Sequence, residues 1–384
     1  MSGRTTTIIV SSSVLKWARQ TLFGGKIQEA ATKLKITIEE LKDWETNNPT
    51  ITISQLKRLS KKYKRHISVL LLNTPPISQQ PPKFRKLPDF NKAIFDQSTF
   101  LAIRQAQEIQ NTTIFLLQNK LNTFVKNVHK YNNNSTLLAS RVIEALNISD
   151  SNRFKSNNSK EQLIIWKRLL EGVGIIILEL SFPINDSRAF TIYDQVAPLI
   201  VLNHKDTDNA QIFSLFHELG HIILGQTDLD KELNLDVRYL NPNEIFCNDF
   251  AARVLVPLEL LKKRVGTITN FNDDNIKDLA NTFKVSTAVI WRRLRDEAYI
   301  TISQFNQIKH RLSTFEPFTQ HDPKKKFVAN KNTYLYITIK RKSELYISEV
   351  FNAFNQNRIS YYDVLNYIGI KSDYITRLQK LMYM

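Results

Sequence analysis

The sequence FSLFHELGHIILG, residues 213–225, constrains the fold more than any other stretch of the chain. It contains the pattern HExxH, formed by His217, Glu218 and His221. The apolar residues around the motif predict a buried helix over Gln211–Leu224. Residues four apart lie on one face of a helix, so both imidazoles can reach one ion at about 2.0–2.1 Å. The stretch therefore predicts a zinc site with His217 and His221 as ligands and Glu218 as the general base.

A catalytic zinc has three protein ligands and one open position, so another part of the chain must supply a further donor. Residues 243–257, NEIFCNDFAARVLVP, predict a second helix that stops before its proline. Glu244 in that helix is the expected third ligand, and Asp228 and Asp249 are the alternatives. We also expect Asn248 or Asp249 to orient a ligand imidazole by hydrogen bonding.

The composition indicates a basic protein of a reducing compartment. Lys and Arg number 53 against 36 Asp and Glu, which gives a formal net charge of +17. This excess favours an anionic partner such as nucleic acid, although lysine-rich surfaces also serve solubility alone. A single cysteine excludes a disulfide within the chain. Since we find neither a signal peptide nor a long apolar run, we expect a cytoplasmic protein without a membrane partner.

Five motifs follow one another along the chain: EGVGIIILEL, PLIVLN, HELGH, NEIFCNDFAARVLVP and LANTFKVSTAVIWRRL. In this order they resemble the ImmA/IrrE family of metallopeptidases over roughly residues 160–300. The resemblance implies a zincin-like fold with one zinc ion held by His217, His221 and Glu244, and Glu218 as the catalytic base.

Two positions depart from the pattern of this family. Phe246 stands where relatives often have a second acid, and Cys247 stands where they have alanine. If the family's ligand were that second acid, the site would lack it in this chain. We expect Cys247 to be a small buried filler beside the site rather than a ligand.

Residues 14–72 resemble the Cro/repressor-type helix-turn-helix domains that are often fused to this peptidase. In such domains the third helix, here Thr37–Thr46, enters the major groove of DNA. Four acids on this helix are unfavourable near phosphates, but four nearby lysines could offset them. The alternative is a protein–protein module that has kept the fold and lost DNA affinity. The candidate DNA-binding residues are Lys26, Lys33, Lys35 and Lys42.

We expect the α+β fold class: a mostly helical multi-domain chain with an N-terminal five-helix helix-turn-helix bundle, a zincin-like peptidase domain with a small sheet, and a small α+β C-terminal extension. Short apolar runs predict strands at Gly174–Leu180, Phe190–Tyr193 and Ala197–Leu202. The alternating stretch FVANKNTYLYITIKR, from residue 327, predicts one or two more. The predicted domains are a helix-turn-helix domain at 1–74, a Pro-rich linker at 75–95, a helical connector at 96–155, the metallopeptidase domain with trailing helices at 156–310, and the extension at 325–384.

The resemblance implies a zinc-dependent endopeptidase and transcriptional regulator. Such a protein would cleave a repressor-type partner, often itself a helix-turn-helix protein, and so derepress stress or mobile-element genes. Tyr193 and His204 are candidates for stabilising the oxyanion. One rival function is a DNA-binding repressor or antitoxin-like regulator with a non-catalytic metal site. A second rival is a metal-dependent hydrolase that acts on something other than protein.

Overall fold

The computed structural model describes residues 6–24, 26–76, 95–226, 242–266, 268, 271–315 and 331–382. Contacts divide the chain into two compact units, Met1–Arg104 and Gln105–Met384. In the described ranges, twenty α-helices and two small sheets confirm the predicted mostly helical α+β class. None of the helices in these ranges combines the length and the apolar character needed to span a membrane.

The first unit contains the five predicted helices, packed around one apolar core. Thr37 caps the third helix by accepting a hydrogen bond from the Glu40 amide at 3.0 Å, as the sequence pattern predicts. The pattern did not predict the two short strands, which pair antiparallel with each other. The elements are β1 (Thr7–Ile9), α1 (Ser12–Phe23), α2 (Ile27–Leu34), α3 (Ile38–Trp44), β2 (Thr50–Thr52), α4 (Ile53–Tyr63) and α5 (Ile67–Leu70).

The next helix, α6 (Gln97–Leu116), begins in the first unit and ends in the second. The second unit continues with α7 (Thr123–His129), α8 (Ser135–Ala145), α9 (Asp150–Phe154), α10 (Ser159–Glu171), β3 (Ile176–Leu180), β4 (Ala189–Ile192), β5 (Leu199–Asn203), α11 (Asp208–Ile223), α12 (Pro242–Leu255), α13 (Leu258–Val265), α14 (Asp273–Phe283), α15 (Thr287–Asp296), α16 (Ile302–Phe315), α17 (Lys331–Lys342), α18 (Glu344–Asn355), α19 (Tyr361–Ile368) and α20 (Ile375–Met382).

The three strands of the second unit form one sheet in the order β3-β5-β4, at the positions that the sequence predicts. Strand β5 runs parallel to β3 and antiparallel to β4. All residues of the three strands are buried, which explains why they read as continuous apolar runs. Ile177, Ile200 and Leu202 belong to the same core as the apolar residues of α11. One face of the sheet therefore supports the helix that carries HExxH.

The prediction of strands from residue 327 is wrong, because Lys331–Lys342 is the helix α17. Leu335 and Thr338 are its buried side chains, and their three-residue spacing is helical. The alternation in the sequence is misleading because two of its apolar residues, Tyr336 and Ile337, are exposed. Residues 327–330 and the basic run at 324–326 lie outside the described residues. Within the described range 331–382, the C-terminal extension is helical rather than α+β.

The C-terminal extension is attached to the sheet, since α17 and α18 pack against β3. Lys340 on α17 donates to Glu179 on β3 at 2.7 Å, and Lys167 on α10 donates to the same carboxylate at 2.8 Å. Burial alone would raise the pKa of Glu179, but a hydrogen bond from His204 and the two lysines outweigh burial and hold it well below its usual range. This buried carboxylate therefore joins the extension to the three-stranded sheet.

Helices α11 and α12 approach each other closely at one point. A Cβ atom added to Gly220 on α11 would lie 2.9 Å from Cys247 Sγ, 3.2 Å from its Cβ and 3.3 Å from its Cα on α12. Distances this short leave no room for a side chain at position 220. Glycine is therefore required here for helix packing, although it lowers intrinsic helix propensity.

We predict that Gly220→Ala lowers the free energy of unfolding by about 1–3 kcal/mol, because the new methyl group overpacks the contact with Cys247. Chemical denaturation measures this loss. Cys247→Ala in the Gly220→Ala background should recover part of it, since the nearest atom, Sγ, is removed. Helix propensity alone predicts the opposite result, a gain of about 1 kcal/mol for Gly220→Ala, and that result would contradict the packing argument.

We also predict that Glu179→Gln destabilises the protein by about 3 kcal/mol, because it leaves Lys167 and Lys340 without their carboxylate. The depressed pKa keeps Glu179 ionised, so the difference from wild type should persist from neutral to mildly acidic pH. Glu144→Gln is the matched control, since its carboxylate pairs with Arg141 on the surface. Thermal unfolding should separate the two variants, and equal small effects would show that the cluster contributes little.

Candidate metal centre

Helix α11 places the HExxH residues in the interior of the second unit. Its first turn is capped by Thr207, which accepts a hydrogen bond from the Ala210 amide at 3.3 Å. Residues are buried on all sides of the helix, so its polar groups are enclosed. His217, Glu218 and His221 are only 5%, 3% and 0% exposed. Buried polar side chains require partners, and those partners define the site.

Glu244 in the first turn of α12 is the carboxylate that meets the two imidazoles. One of its oxygens lies 3.2 Å from Nε2 of His217, and the other lies 3.2 Å from Nε2 of His221. The two Nε2 atoms are 3.1 Å apart. Ligand atoms held at about 2.0–2.1 Å by a tetrahedral ion lie roughly 3.3 Å from one another. The two nitrogens, and each nitrogen with the carboxylate oxygen that faces it, therefore already have nearly the spacing of zinc ligands.

The chemistry of the donor set also fits a cation. Asn248 Oδ1 lies 3.1 Å from Nδ1 of His217, so the imidazole donates its Nδ1 proton to the amide oxygen. In the neutral imidazole this tautomer leaves a lone pair on Nε2, which faces the other imidazole and the carboxylate. Three electron-rich atoms that converge in a buried space are stabilised by a shared positive charge. The residues fit a zinc ion, and the group they form has three members, His217, His221 and Glu244.

The two imidazoles differ in their affinity for protons. Burial lowers the pKa of His217. Burial acts in the same direction on His221, but hydrogen bonds with Cys247 and Glu244 outweigh it and raise its pKa above the usual value. A metal ion takes the neutral form of both imidazoles, so it must displace the proton of His221. We therefore expect metal binding to weaken as the pH falls.

The structure separates the remaining candidates near the site. Cys247 is buried and outside the ligand group, and it fills the contact between α11 and α12. Asp249 pairs with Ser135 and with Arg253 instead of a histidine. Phe246 packs against the apolar core. Asp228 lies outside the described residues. Of the candidates Asn248 and Asp249, only Asn248 hydrogen-bonds a ligand imidazole in the described contacts.

The two candidates for stabilising an oxyanion lie in different surroundings. Tyr193 follows β4 and lies beside the end of α11, since a Cβ atom added to Gly225 would be 3.8 Å from its Cζ. Its role remains a prediction. His204 follows β5, and its Nδ1 is 3.4 Å from Glu179. His204 therefore contacts the same carboxylate that Lys167 of α10 and Lys340 of α17 contact.

The candidate DNA-binding lysines of the first unit do not form one free surface. Lys26 and Lys33 both lie close to Glu29, at 3.9 Å and 3.0 Å. Lys26 also donates to the main-chain oxygen of Phe95, and Lys33 donates to the side-chain oxygen of Gln97. Lys35 and Lys42 are exposed. Their role in DNA binding remains a prediction.

Several residues that position the site helices were not found by sequence reasoning. His129 of α7 hydrogen-bonds the Ile223 carbonyl at the end of α11. Buried Arg153 and Arg293 donate to the carbonyls of Val254 and Val256 at the end of α12. Such side chains stabilise the carbonyls that a helix leaves unpaired. The partners are distant in sequence, so no local pattern indicates them.

We predict that Asn248→Ala weakens zinc affinity by about 10–100-fold, because His217 loses the acceptor that fixes its tautomer. Competition with a chromogenic chelator measures the affinity. Asn248→Asp should remain within a few-fold of wild type, since a carboxylate accepts the same hydrogen bond. Glu259→Gln is the control and should leave affinity nearly unchanged, since this carboxylate is exposed on α13. The assignment fails if Asn248→Ala binds zinc as tightly as the wild type.

Comparison with known families agrees with this geometry. Residues 170–295 match the family model Peptidase_M78, described as the IrrE N-terminal-like domain. No curated protein matches the chain. The matched range includes the whole ligand group and Glu218. The second unit thus contains a region similar to the IrrE N-terminal-like domain.

Proposed function

We propose that the protein is a single-zinc endopeptidase in which His217, His221 and Glu244 hold the ion and Glu218 is the general base. The observation that carries the proposal is the buried group in which the two Nε2 atoms are 3.1 Å apart and each lies 3.2 Å from one oxygen of the Glu244 carboxylate. The family match at residues 170–295 supports the same reaction class.

The number of ligands favours a catalytic site over a structural one. Structural zinc sites are usually closed by four protein ligands, whereas catalytic sites use three and keep one position open. Among the described residues, no fourth His, Cys, Asp or Glu joins the group. This count supports the peptidase over a regulator with a non-catalytic metal.

Glu218 is in a position to move protons. A bound zinc ion supplies Lewis acidity, which polarises a scissile carbonyl and makes water a better nucleophile. The Glu218 carboxylate is close enough to affect the pKa values of His221 and Cys247. From there it can accept a proton from the attacking water and return it to the leaving amine. The Thr191 hydroxyl donates to the Glu218 carbonyl at 3.3 Å, which ties this residue to β4.

We further propose that the substrate is a repressor-type protein, itself with a helix-turn-helix domain, and that its cleavage derepresses stress or mobile-element genes. The support is the resemblance of residues 160–300 to the ImmA/IrrE family and of residues 14–72 to helix-turn-helix domains. The protein would then act as a cytoplasmic regulator.

We predict that Glu218→Gln keeps about one zinc per chain and slows cleavage by about 10²–10⁴-fold, because the ligands remain and the base is lost. His217→Ala and Glu244→Ala should lose the metal as well as the activity. Elemental analysis measures the zinc content. Gel electrophoresis and mass spectrometry detect cleavage of repressor-type proteins encoded beside the gene.

The matched control is Glu259→Gln, whose carboxylate is exposed on α13. It should change neither zinc content nor cleavage. Cleavage at the wild-type rate by Glu218→Gln would refute the assigned base. A wild-type protein that holds zinc but cleaves no candidate would favour the non-catalytic regulator or a hydrolase of other substrates.

A further inference from the structure

Helix α4 and the two residues after it carry a dense positive charge. Residues 53–66, ISQLKRLSKKYKRH, contain no Asp or Glu. The α4 cationic surface consists of Lys57, Arg58, Lys61, Lys62, Lys64 and Arg65.

The fold determines which way this surface faces. Leu56, Leu59 and Tyr63 are buried in the core of the first unit, at 4%, 1% and 0% exposure. Lys57 and Lys61 are exposed and lie four residues apart, so they form a row along the opposite side of the helix. Lys64, also exposed, extends the row past the last turn of the helix.

Within the described part of the chain, five of these six cations lack an ion pair of the kind that Lys26 and Lys33 form. Among the described residues, no carboxylate forms an ion pair with Lys57, Arg58, Lys61, Lys62 or Lys64. By contrast, Lys26 and Lys33 both have Glu29 nearby.

The arrangement works against the stability of the helix. Lys57 and Lys61 are four residues apart, as are Arg58 and Lys62, and like charges at this spacing repel each other. Lysines in the last turn favour the helix dipole, which explains Lys61 and Lys62 but not Lys57 and Arg58. The surface is therefore better explained by binding than by folding.

One cation of the surface is also held in place. The Arg65 guanidinium lies over the Trp17 ring at 4.3 Å and donates to the Thr21 hydroxyl at 3.2 Å. Stacking on an aromatic ring restricts the side chain, so less entropy is lost when it contacts an anion.

Helix α3 has the opposite character. Glu39 and Asp43 are exposed on it, and Lys42 is its one lysine. Glu45, just after the helix, is neutralised by Arg19, and this pairing leaves Glu39 and Asp43 uncompensated by Arg19. Phosphates would be repelled by this face.

We propose that the first unit binds the phosphate backbone of duplex DNA through the α4 cationic surface and not through α3. Lys57 and Lys64 are seven residues apart, which is roughly 10 Å along a helix. One strand of DNA presents a phosphate about every 3.4 Å along its axis, so the row matches about three phosphates. This inference does not depend on the peptidase activity.

Other partners fit the surface less well. Lysine is depleted in protein–protein interfaces, which have an apolar centre that this row of lysines does not offer. A helix that lies on a membrane inserts its apolar face, whereas the apolar side chains of α4 are buried in the unit. Duplex DNA requires only evenly spaced positive charge.

The test compares two full-length variants that lose the same charge, Lys57→Gln/Lys61→Gln on α4 and Lys35→Gln/Lys42→Gln around α3. Fluorescence anisotropy measures binding to a labelled duplex of about two helical turns at salt concentrations from about 50 to 200 mM. The α4 variant should bind about tenfold more weakly at low salt. Its log–log salt slope should fall by about 1.8, since each phosphate contact contributes about 0.9.

The α3 control should keep the wild-type slope and an affinity within about twofold of wild type. The melting temperature of the α4 variant should equal or exceed that of the wild type, because like-charge repulsion is relieved. Equal losses in both variants would overturn the proposal in favour of general charge attraction. Unchanged DNA binding by the α4 variant would also overturn the proposal. If that variant instead lost binding to phosphatidylserine vesicles, the surface would be a membrane contact.

Discussion

The close contact between α11 and α12 is the constraint on which the candidate metal centre depends. Gly220 and Cys247 allow the two helices to approach to a distance at which any larger residue at position 220 would collide. The same approach brings Glu244 within 3.2 Å of both imidazoles. One packing contact therefore both sets the distance between the two helices and brings the candidate ligands together.

The rest of the second unit fixes the position of α11 relative to α12. The buried sheet supports α11 from one side, and α17 and α18 pack against β3. A polar network runs from Ser135 through Asp249 and Arg253 to Glu297, and so joins α12 to α8 and to the end of α15. Metal sites need this kind of support, since errors well below 1 Å reduce their function. The C-terminal extension thus acquires a structural role through Glu179.

The first unit carries its exposed charges unevenly. The exposed charge of α3 is mainly acidic, whereas α4 is free of acids. Electrostatic attraction to DNA depends on where cations remain unpaired, not on which helix is third in the chain. Under the two proposals, the chain has a catalytic unit and a unit that contacts DNA through a different helix from the one that the resemblance implies.

The sequence alone determined the HExxH helix, the three strands and the five N-terminal helices, because their signals are local periodicity and caps. It also placed Glu244 among the possible ligands. Only the tertiary structure showed that Glu244, and not Asp249, lies beside the two imidazoles. It also showed that residues 331–342 are helical and that His204 contacts Glu179. Each of these outcomes depends on side chains far apart in sequence that meet only when the chain packs, and no local pattern encodes such contacts.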